Sequence, residues 1–147
     1  MTSSNNLVRI SADPISQEEV TQFVIDPSAG GISIFLGVTR DNFKGKKVVQ
    51  LEYEAYTSMA TKQLSDICTA IRGKWPVTKI AIVHRTGIVP VCEPSVIIAV
   101  SSVHRKEAIE ATSYAIDAVK SSVTVWKKEV YAEGEGEWKE NKECRWT

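Results

Sequence analysis

The sequence predicts an α+β fold, with mixed strand pairing and helices packed on the sheet, because strand and helix patterns follow one another in irregular order. Residues 32–39 alternate between an apolar and a less apolar face, which is typical of a half-buried strand. Residues 96–100, VIIAV, are apolar without interruption, which predicts a central strand covered on both faces. Apolar residues at helical spacing within 60–71 and 108–119 predict two long helices.

The first third of the chain should contain a strand, a helix and a hairpin. A short strand is predicted at residues 7–10, and Ser16 with Glu19 has the spacing of a capping box, so a helix should run to about residue 25. Pro27 and the glycine pair that follows should end it. The polar segment 41–47 has the composition of a hairpin connection, which predicts that residues 48–56 pair with strand 32–39.

Two helices and three strands should complete the fold. Thr57 can cap the second helix, which Gly73 and Pro76 should stop. A strand at 79–85 and a loop at 87–94 lead to the central strand at 95–103, and a helix and an alternating strand at 123–130 follow. The apolar stripe of the second helix consists of Ala60, Leu64, Ile67, Cys68 and Ile71.

Length and composition predict one domain over residues 1–147, with residues 1–6 disordered. The 43% hydrophobic content suffices for a core. The tail at 132–147 is charged but contains Trp138 and Trp146, so it should pack on its own domain or on a neighbouring subunit. Basic and acidic residues number 18 each, so no nucleic-acid partner is expected. No apolar run has the length of a signal peptide or a membrane span, so we expect a cytosolic protein.

The cysteines and the strand histidine give no sign of a metal site. Cys68, Cys92 and Cys144 are far apart and form no CxxC pair. Cys68 lies on the apolar helix stripe, so we interpret it as a core residue. His84 ends a strand with no second histidine or carboxylate cluster near it in sequence, so we interpret it as structural.

Cationic residues accumulate in the stretch 101–129. His104 and Arg105 stand where the third helix begins, and the unpaired N–H groups and dipole of a helix start favour an anion. Lys120 closes this helix. In the strand after it, alternation places Lys127 and Glu129 on one face. Each cation alone is commonly solvated, but several brought together require an anion to compensate their repulsion and lost hydration.

Five segments then show a family resemblance. FLGVTRDNFKGKKVVQLEYEAY, IRGKWPVTKIAIVHRTG, SSVHRKEAIEATSYAIDAVK, VWKKE and WKENKEC, in this order and over nearly the whole chain, resemble the large, catalytic subunit of molybdopterin synthase. The chain has TRDNF where bacterial members often read VRNHN, so it looks like a eukaryotic member. Arg40 is in place in this segment.

The resemblance implies an α/β-hammerhead fold, with a mixed, mostly antiparallel sheet and packed helices. It implies a heterotetramer, in which a homodimer of large subunits binds a small ubiquitin-like sulfur-carrier subunit at each end. The carrier's C-terminal thiocarboxylate would enter a pocket of the large subunit. Two sulfurs would pass there to cyclic pyranopterin monophosphate to form molybdopterin, without a metal or other cofactor.

The resemblance also assigns residues. Lys120 and Lys127 match the family's essential lysines and are expected to be catalytic. Phe35 and Gly37 are expected to line the channel for the carrier's tail, because a glycine leaves room for a second backbone; a bulge or tight packing would explain Gly37 equally well. The substrate-binding residues carried over are Arg40, His104, Arg105, Lys120, Lys127, Lys128 and Glu129.

The cationic residues suit this chemistry, because both reactants are anions. The substrate's phosphate and the donor's thiocarboxylate are both anions, and Arg, His and Lys can hold them close together. A lysine whose pKa is lowered by neighbouring cations could exchange a proton with the departing oxygen. Two other classes stay open. One is a sulfurtransferase that uses a persulfide on Cys92 or Cys144, and the other is a non-catalytic scaffold for a ubiquitin-like partner.

Overall fold

The computed structural model describes residues 5–132 and the backbone of a strand at 138–140. Three helices lie in these residues: α1 (Gln17–Val24), α2 (Thr57–Lys74) and α3 (Arg105–Ser122). The strands are β1 (Asn6–Ser11), β2 (Gly31–Val38), β3 (Asn42–Phe43), β4 (Lys46–Ala55), β5 (Val77–Arg85), β6 (Gly87–Pro90), β7 (Pro94–Ser102), β8 (Val125–Tyr131) and β9 (Trp138–Glu140).

The strands form two sheets. The first has the order β1-β5-β7-β2, with β1 parallel to β5 and the other neighbours antiparallel. The second is antiparallel and contains β3, β4, β8 and β9 in that order, with β6 also paired to β4. The predicted α+β class with mixed, mostly antiparallel pairing is therefore confirmed.

Helices cover both faces of the first sheet. Helices α2 and α3 pack on one face, where Ile80, Ile82 and Ile98 are buried, and α1 packs on the other face against Val83 and Ile97. Strand β7 is interior and buried on both faces, which confirms the interpretation of the apolar run within it.

The helices begin and pack largely as their sequences predict. The Ser16 hydroxyl caps α1 by accepting from the Glu19 amide at 3.1 Å. The predicted stripe of α2 is fully buried. The N-cap of α2 is Tyr56 and not Thr57, and no side chain caps that end. None of the helices in residues 5–132 has the length and apolar content to cross a membrane.

The predicted hairpin partner of β2 is wrong. Strand β2 pairs with β7, whereas β4 pairs with β3, β6 and β8. The turn within 41–47 is a tighter hairpin between β3 and β4, in which Lys44 and Gly45 have φ of 51° and 81°. Two consecutive positive φ values suit a two-residue turn. The chain thus leaves the first sheet at Thr39, and the tight hairpin of β3 and β4 begins the second sheet.

Two other boundaries differ from the sequence prediction. The segment 87–94, predicted as a loop, contains β6, whose pairing with β4 depends on contacts distant in sequence. Strand β1 begins at Asn6, within the segment predicted to be disordered, and the Arg72 guanidinium donates to the Asn5 carbonyl and the Asn6 side chain at 2.9 and 2.7 Å. In the tail, β9 pairs with β8. The rest of the tail, with its predicted packing, lies outside the described residues.

Candidate active site

Strand β8 places a lysine and a glutamate on its buried face. Val125, Lys127 and Glu129 are 2%, 3% and 2% exposed, whereas Trp126 between them is 38% exposed. This confirms the alternation read from the sequence. Lysine and glutamate are almost never this buried without compensating partners, because each charge loses its hydration. Two such residues on one strand mark a site rather than an ordinary core.

Lys127 and Glu129 line a small pocket at the edge of the second sheet. The pocket has about 290 Å³ of empty space, including its open mouth. Its polar lining also includes Arg40, just beyond β2, and Asn42, in the β3–β4 hairpin. The Tyr131 hydroxyl donates to Oε2 of Glu129 at 3.4 Å. The apolar lining consists of Val38, Phe43, Val48 and Leu51. The segment predicted as a hairpin connection therefore builds one wall of the pocket.

Lys128 lies on the opposite face of β8. It is directly across from Glu52 of β4, and its Nζ is 4.0 Å from that carboxylate. Both side chains are about one-third exposed, so this ion pair contributes little to stability. The structure thus separates two neighbouring lysines that the family resemblance placed in one pocket, and Lys128 is not among the residues that line it.

Lys120 lies in the last turn of α3, close to a buried histidine. The pKa of His84 is lowered to about 4, chiefly by burial, and the positive charge of Lys120 contributes to this lowering. The His84 ring contacts the Tyr53 ring, and Tyr53 is directly opposite Lys127 in the β4–β8 ladder. Lys127 is therefore a neighbour of Tyr53, and Lys120 is close to His84, the two partners of one buried ring contact.

His104 and Arg105 lie at the other end of α3. Fifteen residues separate Arg105 from Lys120, which corresponds to about 22 Å along the helix axis. His104 is the N-cap residue, just outside the first turn in which it was predicted, and its side chain makes no capping hydrogen bond. The Ser102 hydroxyl donates to the His104 carbonyl. Both His104 and Arg105 are exposed. Within one chain, the structure does not bring them to the pocket of Lys127.

The start of β2 packs closely on this helix end. A Cβ at position 31 would lie 3.0 Å from the Arg105 Cα, and one at position 30 would lie 2.5 Å from the Val103 carbonyl oxygen. Steric contact therefore explains why glycines occupy these two positions, because larger residues would push the helix start away from β2.

The space beside Gly37 is already occupied within the chain. A Cβ there would lie 2.7 Å from Cγ1 of Val96, its neighbour on β7, and 3.4 Å from the Phe35 ring. The register of β2 and β7 also shifts at this glycine. Tight packing and a bulge thus explain Gly37 locally. The role of Phe35 and Gly37 as a channel for a partner's tail stays a prediction.

The cysteines differ in environment. Cys68 is fully buried, and burial raises the pKa of its thiol to about 12. Cys92 is exposed at a turn with φ of 73°, and Cys144 lies outside the described residues. The thiolate is the reactive form, so Cys68 is an inert core residue, as the helix stripe predicted.

Sequence reasoning missed Tyr53, Ser95 and Asn42 near the site. Tyr53 stands two residues after Leu51 in an alternating strand, so the sequence could have predicted that its side chain points into the core. Its position opposite Lys127 depends on the β4–β8 register, and Asn42 reaches the pocket only through the tight hairpin.

The fold and the site define a class of protein, an α+β subunit whose buried lysine and neighbouring arginine suit an anionic substrate. The family model for the MoaE protein matches residues 10–122. The chain therefore belongs to the MoaE family, the catalytic subunits of molybdopterin synthase.

Individual relatives agree with this assignment. The molybdopterin synthase catalytic subunits of Bos taurus and Homo sapiens are each 54% identical over 144 residues, which is 98% of this chain and 76% of each relative. The crystal structure of molybdopterin synthase from Staphylococcus aureus has a TM-score of 0.86 at 40% identity, covering 95% of this chain and 98% of the other. The chain also shares its fold with one chain of the structure of the complex of subunits 1 and 2 of molybdopterin-converting factor from Helicobacter pylori (TM-score 0.72, 16% identity, 87% of each chain).

Proposed function

We propose that this chain transfers two sulfurs from the thiocarboxylated C-terminus of a small ubiquitin-like carrier to cyclic pyranopterin monophosphate, forming molybdopterin. The observation that carries this proposal is the buried Lys127 in a pocket that it shares with Arg40 and Glu129. A cytosolic location is part of the proposal, because free thiols persist in reducing compartments.

The charges of the pocket suit the two reactants. A phosphate and a thiocarboxylate repel each other, and bringing them together requires cations that are already in place. Lys127 is held on a strand that is hydrogen-bonded on both sides, to β4 and β9, so its backbone cannot move independently. Arg40 follows β2 and can offer the planar, two-point contact that phosphates favour. We assign Arg40 to the substrate's phosphate.

Lys120 and Lys127 are assigned the proton transfers. When a thiocarboxylate sulfur bonds to a carbon of the pterin side chain, the oxygen on that carbon is displaced and leaves with a proton. Water then cleaves the acyl–sulfur bond, which leaves the sulfur on the pterin and a carboxylate on the carrier. A lysine ammonium close to other cations releases its proton more readily than one in water, and it can recover the proton in the next cycle. Lys127 lies in the pocket itself, and Lys120 lies close to His84.

The proposal includes a small-subunit partner. The relatives are named as catalytic subunits, and the Helicobacter pylori structure is a complex of two different subunits. Cys68 is buried with a raised pKa, and no basic residue adjoins Cys92 in the sequence, so we assign the sulfur to the partner's terminal glycine rather than to a persulfide.

The proposal also includes a second copy of this chain. His104 and Arg105 stand about 22 Å along the helix axis from Lys120, farther than one small phosphorylated pterin can bridge. If they contribute to substrate binding, they must do so in the pocket of a neighbouring copy. A homodimer with two-fold symmetry would give two such shared pockets, and one carrier on each would give a heterotetramer.

A subunit-mixing experiment tests both the reaction and the shared pocket. One variant carries Lys120→Ala and the other carries His104→Ala with Arg105→Ala, and each is assayed with thiocarboxylated carrier and with substrate below its KM. Each variant alone should be nearly inactive. After dissociation and random reassociation, half the dimers are mixed and each has one intact pocket, so activity should return to about a quarter of the wild-type value.

Three controls accompany the mixing experiment. Wild-type chain without carrier should form no product, and wild-type chain taken through the same dissociation should keep its activity. A mixture of either variant with itself should stay inactive. No recovery on mixing, with mixed dimers demonstrated by mass spectrometry, would place each pocket within one chain. No product from wild type with carrier would remove the proposed reaction.

A further inference from the structure

Tyr53 and His84 form a buried contact where the two sheets meet. They are 2% and 1% exposed, and their ring centroids are 5.1 Å apart with the planes at 70°. The Tyr53 hydroxyl donates to Oγ of Ser95 at 3.3 Å, and the Ser95 hydroxyl donates to the Gly37 carbonyl at 3.3 Å. This chain of contacts joins β4 of the second sheet to β5, β7 and β2 of the first.

Both residues are uncharged at neutral pH. Nδ1 of His84 is 2.8 Å from the Arg85 carbonyl, which can only accept, so Nδ1 carries the proton and Nε2 carries a lone pair. Burial lowers the pKa of His84 to about 4. Burial also raises the pKa of Tyr53 well above its usual value. The contact therefore adds dipoles but no charge next to the two lysines.

Each ring of the contact has one of the two lysines as a neighbour. Tyr53 is paired with Lys127 across the β4–β8 ladder, where facing Cβ atoms are about 5 Å apart. Lys120, at the end of α3, is the charged group that acts on His84. Glu129 on β8 also acts on Tyr53, and Arg85 is the next residue after His84 on β5. Arg85 itself binds Glu93 at 2.8 Å.

Lys127 belongs to the second sheet, whereas Lys120 belongs to a helix packed on the first. Their separation therefore depends on how the two sheets are joined, and the Tyr53–His84–Ser95 contacts join them at this point. A plain apolar contact would fill the same space. It would not offer a lone pair to an ammonium group, nor would it fix the sheets by a directional hydrogen bond.

We propose that Tyr53 and His84 are positioning residues for the reaction: Tyr53 sets the place of Lys127, and the neutral His84 accepts a hydrogen bond from the Lys120 ammonium through Nε2. This inference rests on the proposed function, because it assumes that both lysines act in sulfur transfer. Neither Tyr53 nor His84 needs to touch the substrate. Their effect is to hold two proton-transfer groups at a fixed distance.

Two isosteric substitutions at His84 test the hydrogen bond. In His84→Asn, the amide nitrogen can replace Nδ1 and still donate to the Arg85 carbonyl, but nothing replaces Nε2. In His84→Gln, the longer side chain can place its amide oxygen where Nε2 was. The pKa of Lys120 is measured by acetylation at a series of pH values, followed by mass spectrometry of the peptides, a readout that requires no activity.

We expect the pKa of Lys120 to fall in His84→Asn, because the ammonium loses an acceptor, and to stay near the wild-type value in His84→Gln. Exposed Lys62 on α2 is the internal control and should titrate alike in all three proteins. The same pKa for Lys120 in wild type and both variants would overturn the inference, since a purely structural histidine changes stability and not this titration.

Tyr53→Phe is a second test that keeps the ring and its packing. It removes only the hydroxyl that binds Ser95, so the protein should fold even if the His84 variants do not. We expect kcat to fall about tenfold with KM unchanged, because small displacements of catalytic groups can cost ~10²-fold. An unchanged kcat would contradict the positioning role.

The two proposals fail in different ways. If Lys120→Ala keeps normal turnover, the proposed role of Lys120 fails, while the acetylation result still decides whether His84 binds Lys120. If Lys120→Ala abolishes turnover but the pKa of Lys120 is the same in wild type and in the His84 variants, only the positioning inference fails.

Discussion

The two ends of α3 carry similar residues in opposite surroundings. At its start, His104 and Arg105 are exposed and stand beside the glycine pair that opens β2. At its end, Lys120 is half-buried beside His84 and Tyr53, and the strand that follows carries the buried Lys127. The same helix therefore presents one cationic end to the surroundings and encloses the other within the fold.

This difference in burial indicates that the cations at the two ends of α3 have different roles. An exposed cation keeps its hydration and can attract an anion from outside at little cost to stability. A buried lysine has lost its hydration, so its pKa responds strongly to its neighbours, which is what proton transfer requires. We therefore expect substitutions at the buried end to change kcat and substitutions at the exposed end to change KM.

The largest expected effect is at the buried end. Lys127→Ala and Lys120→Ala should each lower kcat by about 10²–10⁴-fold, because each removes a proton-transfer group. Turnover is measured at saturating carrier and substrate and normalised to folded protein. Lys62→Ala, on the exposed face of α2, is the matched control and should keep full activity. Normal turnover in either site variant would remove that lysine from the mechanism.

A smaller effect is expected at the exposed end. Arg105→Ala should raise the KM for the phosphorylated substrate and leave kcat almost unchanged, because a phosphate contact is made equally in the ground and transition states. Lys106→Ala changes the next exposed cation on the same turn and controls for a general loss of charge. A lowered kcat at constant KM would mean that the exposed end takes part in the chemistry.

The smallest expected effect concerns the thiols, which lie outside both ends of α3. A variant with Cys68, Cys92 and Cys144 all changed to serine should still form product when thiocarboxylated carrier is supplied. Its stability should fall by about 1–3 kcal/mol, because a hydroxyl at position 68 is buried. A matched variant that keeps Cys68 should have wild-type stability. Loss of activity with intact folding and carrier binding would favour a persulfide mechanism instead.

Much of the fold could be read from local patterns. The cap at Ser16, the buried stripe of α2 and the buried run of β7 each depend on residues close together in sequence. The predicted hairpin was wrong for the converse reason, because β2 and β4 are close together in sequence but belong to different sheets. Strand β6 was predicted as a loop for the same reason, since four residues that end in Pro90 carry little strand signal of their own.

The site shows the same division. The sequence by itself determined which cations are present, the face of β8 that holds Lys127 and Glu129, and, through its resemblance to a known family, the chemistry they serve. Only the tertiary structure decided that Tyr53 faces Lys127 and that Glu52 is the partner of Lys128. The physical reason is that periodicity fixes the direction of a side chain on its own element. Which elements meet is fixed by burial summed over the whole chain.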